Sequence, residues 1–120
     1  MTAPLALVTG GVKRVGAVIA AQLAESGYAL ALHGNSDTAP EDRLAATMRE
    51  SGSDWCGFQQ DFTLDGAAGD LMDQVASHFG RVPDLIVNSA SIFGQDDAGS
   101  IGEQTLQEHF RVNSLVPVLL

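Results

Sequence analysis

The stretch Leu5-Ala6-Leu7-Val8-Thr9-Gly10-Gly11-Val12-Lys13-Arg14-Val15-Gly16 constrains this chain more than any other. Leu5 to Val8 form a short apolar run suited to a parallel strand covered on both faces. Gly10 and Gly11 allow a tight turn and let backbone approach a ligand closely. From about Arg14 the spacing predicts a helix, with Val15, Val18, Ile19 and Leu23 on one stripe and Gly27 as the stop. A helix start behind a glycine turn offers free N–H groups and a positive dipole end, which suit a phosphate. Lys13 and Arg14 would oppose that dipole as solvated charges, so an anionic ligand accounts for them better. The turn therefore reads as a dinucleotide pyrophosphate site, against the plainer reading of a βα turn that happens to need glycine.

The rest of the chain repeats this alternation. Tyr28 to His33 reads as a second strand, parallel to the first through a right-handed crossover. Pro40 to Ser51 reads as a helix, with proline and acids in its first turn, Leu44, Ala45 and Met48 buried, and Gly52 as its end. Trp55 to Gln60 is a third, less apolar strand, followed by Asp61-Phe62-Thr63. Thr63 to Phe79 reads as a helix whose Leu64, Ala68, Leu71, Met72, Val75 and Phe79 share a core face. Pro83-Asp84 turns the chain into Leu85-Ile86-Val87, a fourth strand ending in Asn88-Ser89-Ala90-Ser91. Beyond a polar loop over 92–102, Glu103 onwards is helical by the spacing of Leu106, Phe110, Asn113 and Pro117. Proline inside a helix frees the carbonyl four residues earlier, which here is that of Asn113. Residues 1–120 thus read as one α/β unit, a doubly wound parallel sheet.

Charge and cysteine usage exclude some functions. With 15 acidic against 6 basic residues the net charge is −9, which argues against nucleic acid as a partner. A dinucleotide needs only a local positive site. No run is long enough to cross a membrane and no signal peptide opens the chain. The single cysteine, Cys56, excludes an internal disulfide, fits the reducing cytoplasm and is expected to be a small buried residue. No metal is expected.

Thr9-Gly10-x-x-x-Arg14-Val15-Gly16 resembles the Thr-Gly-x-x-x-Gly-x-Gly signature of short-chain dehydrogenases/reductases, with Arg14 in the place of the middle glycine. Lys-Arg-x-Gly resembles the pteridine-reductase-like branch, in which the arginine lies against the cofactor phosphates and the substrate pocket. A guanidinium fork suits that task. Asp61-Phe62-Thr63 resembles the family's adenine-binding element, and Asn88-Ser89-Ala90-Ser91 its Asn-Asn-Ala-Gly element, with Ser89 as a departure. The resemblance implies a Rossmann-like sheet of order 3-2-1-4 in the part present. It implies cofactor contacts at Gly10, Arg14, Val15 and Gly16 in the turn and at His33, Asn35 and Ser36 after the second strand. Further contacts fall at Asp61, Phe62, Asn88, Ala90 and Ser91. Asp61 and Thr63 could equally cap the next helix.

Gly34 stands where the family's NAD-binding members carry an acid, which removes repulsion against a 2′-phosphate and points to NADP(H). Asp37 would oppose this if it faced inward, but not as a capping residue facing away. For His33, the competing reading is a strand-end histidine in an ordinary backbone hydrogen bond. The same resemblance implies substrate contacts at Arg14, Ser91 and Phe93, and assigns Asn113 to the catalytic group, within an Asn-x-x-x-Pro element. The family's serine and Tyr-x-x-x-Lys would lie beyond Leu120, since the lone tyrosine is Tyr28 and the lone lysine Lys13. The chain is therefore expected to be the cofactor-binding half of an NADP(H)-dependent reductase, truncated before the catalytic half and inactive alone. The complete protein would reduce a C=N or C=O group of a small substrate, for instance a pterin-like one, and form a homo-oligomer. The alternative is a non-catalytic NADP(H)-binding or regulatory module that ends near residue 120.

Overall fold

A computed structural model describes residues 2–90. Ser91, Phe93 and Asn113 lie outside the described residues, as do the loop over 92–102 and the helix expected from Glu103. The described chain alternates strictly: β1 (Leu5–Thr9), α1 (Arg14–Glu25), β2 (Ala29–Gly34), α2 (Asp42–Ser51), β3 (Trp55–Gln59), α3 (Ala67–Phe79) and β4 (Leu85–Asn88). The four strands form one parallel sheet in the order β3-β2-β1-β4.

Every residue of β1 and β2 is buried, as strands covered on both faces require. Period-two alternation divides them between two cores. Leu5 and Leu7 of β1 pack with Leu71 and Val75 of α3 on one face, whereas Ala6 and Val8 pack with Ala20 of α1 and Leu44 and Met48 of α2 on the other. The unit is thus a three-layer α/β/α sandwich. Its strand order reverses between β1 and β4, and crevices at such a reversal are where open α/β sheets bind ligands.

Two helices differ from expectation. α1 buries Gly16, Ala17, Ala20 and Ala24; of the expected stripe, Val15 and Val18 face solvent, Ile19 is half-buried and Leu23 packs against the core only in part. Val15 is 68% and Val18 64% exposed. Small residues let the helix axis come close to the sheet, and bulky β-branched side chains on that face would hold it away. α3 begins at Ala67 rather than Thr63. The Asp61 carboxylate takes the Thr63 N–H and hydroxyl, Leu64 N–H bonds the Asp61 carbonyl, and Gly66 turns left-handed at φ 79°. A turn therefore precedes the helix, leaving Leu64 exposed outside the core.

α2 likewise starts at Asp42, because the Glu41 N–H is held by the Val12 carbonyl. Cys56, on the edge strand β3, is only partly buried. Burial and the nearby Asp54 push its thiol upward, away from the reactive thiolate. No helix among the described residues is long and apolar enough to cross a membrane.

Candidate nucleotide-binding site

The site is assembled at the C-terminal ends of the strands. Thr9, the last residue of β1, is buried, and its Oγ1 accepts hydrogen bonds from the N–H groups of both Ser89 and Ala90 at 3.0 Å. This draws the end of β4 against the turn that follows β1. Gly10 adopts φ 62°, and a Cβ there would lie 3.0 Å from the Ala90 Cα, so both conformation and space demand glycine. One turn later, a Cβ on Gly16 would run into the Gly10 carbonyl oxygen. Glycine at position 16 therefore lets the first turn of α1 nest on the loop.

Beneath α1's start lies a cavity of 480 Å³. Gly10, Arg14, Val15 and Gly16 line it from the turn and helix. As first-turn residues, Val15 and Gly16 have N–H groups without an acceptor four residues back in the helix. Arg14 is the exception, since its N–H donates to Glu41 Oε1 at 2.7 Å. His33, Asn35 and Ser36 line the cavity from the end of β2, Asp61 and Phe62 from the end of β3, and Ala90 from that of β4. Asn88 is not among the lining residues; it is the last residue of β4 and pairs in register with Thr9. Val12, Lys13, Gly34, Asp37, Thr63 and Ser89 also contribute to the wall.

His33 does not serve as a free donor to a ligand. Its ring is buried, Nδ1 accepts the Gly10 N–H at 3.0 Å, and Nε2 meets the Gln60 carbonyl at 2.8 Å. The Phe62 ring stacks on it, with centroids 4.1 Å apart and planes 6° from parallel. Burial pushes its pKa below the usual histidine range, and the Gln60 carbonyl opposes this only in part. Both ring nitrogens are spent inside the protein.

Asp61 Oδ1 accepts from the Thr63 hydroxyl and, at 3.0 Å, from the Thr63 N–H, which holds its carboxyl below the usual carboxylate range. Asp61 thus shapes a turn rather than capping α3. Asp37 Oδ1 accepts the Ala39 N–H at 2.8 Å, closing a turn ahead of α2 without capping that helix. Glu41 is the residue sequence reasoning missed most fully. Its carboxylate caps the start of α1 from the far side, across 27 residues, and no local pattern announces that. Thr9, by contrast, was legible as the residue preceding the motif's first glycine.

The family model for short chain dehydrogenase matches residues 4–120. The chain belongs to the short-chain dehydrogenase family. Among curated relatives, the short chain dehydrogenase/reductase dmxR18 of Cryptosporiopsis sp. (strain 8999) is 31% identical over 111 residues, covering 92% of this chain and 40% of that protein. Pteridine reductase 1 of Leishmania tarentolae is 34% identical over 110 residues, covering 77% of this chain and 38% of that one. This short-chain dehydrogenase sequence thus spans about 40% of the length of such relatives. Among solved structures, the promiscuous reductase LugOII, which catalyses a keto-reduction, superposes with a TM-score of 0.84 at 25% identity, over 99% of this chain and 49% of that one. The NADH-dependent reductase A1-R′ in complex with NAD has the same fold, with a TM-score of 0.83 at 23% identity, over 98% of this chain and 48% of that one. Family members are oxidoreductases that use a nicotinamide cofactor on small molecules, and the cradle's glycines fit such a dinucleotide.

Proposed function

We propose that this chain is the NADP(H)-binding part of a short-chain reductase that delivers hydride to a C=N or C=O group of a small substrate. The observation carrying the cofactor choice is at Gly34. A Cβ there would overlap the Asp37 carbonyl oxygen and press within 3.3 Å of the Val12 Cγ2. The acidic side chain that would hold a ribose 2′-hydroxyl has no room at that position. Asn35 and Ser36 stand beside it, exposed on the cavity wall, as uncharged donors for a 2′-phosphate. Asp37 counts against this choice, since it lines the cavity and caps no helix, although its Oδ1 accepts the Ala39 N–H.

In this reading the N–H groups of Val15 and Gly16 hold the pyrophosphate, with the Arg14 guanidinium over it. Asp61 and the main chain at Phe62 receive the adenine, and Ala90 leaves room for the ribose. The bound nicotinamide supplies the hydride. Arg14, Ser91 and Phe93 are assigned to the substrate in this reading, and Asn113 to the proton relay. The 34% identity to a pteridine reductase supports a pterin-like substrate, and a cytoplasmic homo-oligomer belongs to the same reading. Titrating the full chain with NADPH and NADH by calorimetry tests the cofactor choice. Tighter binding of NADPH is expected, and equal affinity or a preference for NADH would overturn the reading of Gly34 and Ser36.

A further inference from the structure

His33 is held by groups from the segments that follow two other strands, β1 and β3. Nδ1 accepts the Gly10 N–H, and the His33 carbonyl accepts the Gly11 N–H at 2.9 Å, so one residue of β2 grips both glycines of the turn. Nε2 reaches the Gln60 carbonyl beyond β3, and Phe62 covers the ring face. One tautomer satisfies these partners. A backbone N–H makes Nδ1 an acceptor, and a carbonyl makes Nε2 a donor. A second proton, on Nδ1, would set two donors against each other at the Gly10 amide.

Among the described residues, the charged groups sharing the cavity with the ring are Lys13 and Arg14 from the turn and α1, Asp37 from the loop after β2, and Asp61 after β3. Ser89 and Ala90, from the β4 side, carry none. None of these groups hydrogen-bonds the imidazole, whose partners are all main-chain.

We propose that His33 is a positioning residue whose neutral imidazole holds the Gly10–Gly11 turn in its nucleotide-binding shape, and whose protonation releases that turn and weakens dinucleotide binding in acid. The inference rests on the dinucleotide reading of the cavity and adds to it a proton-linked control. Burial depresses the His33 pKa, so the grip is complete above about pH 6.5 and is lost as pH falls through the folded-state value. Coupling to one proton lowers affinity by about tenfold per pH unit below the midpoint.

The test measures the Kd of the full chain for NADPH and for NADH by nucleotide fluorescence from pH 8 to pH 5, with the Gly10 amide resonance followed in parallel. The NADPH 2′-phosphate itself titrates near about pH 6; NADH lacks it and isolates the protein's own proton. NADH should weaken along a one-proton curve whose midpoint matches that of the Gly10 amide shift, and NADPH should fall more steeply because its phosphate titrates as well. His33→Asn keeps an acceptor for the Gly10 N–H that does not titrate, so it should bind NADH at pH 8 and flatten the profile. His33→Ala should bind weakly throughout. A flat NADH profile in the unaltered chain, or the same inflection persisting in His33→Asn, overturns the inference while leaving the dinucleotide reading in place. Failure of both nucleotides to bind at pH 8 overturns that reading and the inference with it. Should His33→Asn not fold, the unaltered chain's NADH profile and Gly10 resonance decide the matter.

Discussion

Arg14 is the one non-glycine residue with a positive φ among the described residues, at 58°. It stands where the family's motif carries its middle glycine, and the backbone angle explains that preference. A left-handed conformation costs an L-residue roughly 1–2 kcal/mol through crowding of Cβ against the carbonyl. Arg14→Ala and Arg14→Gly both delete the guanidinium, but only alanine retains the crowding. Glycine's larger unfolded-state freedom returns about 0.4–1 kcal/mol of that advantage. The Arg14→Gly chain should therefore be more stable than the Arg14→Ala chain by about 0.5–1 kcal/mol. An ordinary helix position shows the opposite sign, with glycine about 1 kcal/mol worse. Urea unfolding of the full chain, followed by circular dichroism with equal m-values, measures the difference. An Arg14→Ala chain as stable as Arg14→Gly, or more so, would refute the argument. Nucleotide titration of the same pair provides a second readout. On the proposed role of Arg14 at the pyrophosphate, each variant loses a charge-assisted bond worth about 1.5–3 kcal/mol, so NADPH should bind roughly ten to a hundredfold more weakly to both.

Three further outcomes are expected. Gly16→Ala drives a methyl group into the Gly10 carbonyl oxygen, so calorimetry should detect no NADPH binding while the far-ultraviolet spectrum keeps its helical content. Thr9→Val removes the acceptor for the Ser89 and Ala90 N–H groups and should cost about 2–3 kcal/mol in urea unfolding, with Thr9→Ser restoring most of it. Because hydrogen bonds from Thr63 depress the Asp61 pKa, Asp61 contributes stability above its unfolded value near 3.8 that is lost as pH falls through the lower folded value. Thr63→Val should accordingly raise the Asp61 pKa in a carboxylate NMR titration, and an unchanged value would exclude the Thr63 hydroxyl as its cause.

Much of the fold is legible because its signals are local. Leu5 to Val8 read as a strand buried on both faces and are one, and Gly52 and Gly80 end their helices where the stripes end. The expected order 3-2-1-4 is the order observed. The face of α1 was not legible, for a physical reason. Ala17, Ala20 and Ala24 recur with the same helical period as Val15, Val18 and Ile19, so periodicity alone does not choose between the two stripes. Hydrophobicity favours the valines, but close approach of helix to sheet favours the alanines. That approach exists only once Gly16 meets the Gly10 carbonyl.

The roles of polar residues divide in the same way. Asp37 and Asp61 bond groups two residues ahead, Ala39 and Thr63, and both were recognised as capping types, although each closes a turn and neither caps a helix. His33 and Glu41 act across 23 and 27 residues, on Gly10 and Arg14. By itself, the sequence determined the alternation of strands and helices, the glycine turn and the family to which both belong, because these rest on chemistry between near neighbours in the chain. Only the tertiary structure decided which face of α1 is buried, that Gly34 has no space for a side chain, and that His33 serves the turn rather than a ligand. Each depends on a partner delivered by a different strand or loop, and that partner arrives only when the sheet closes.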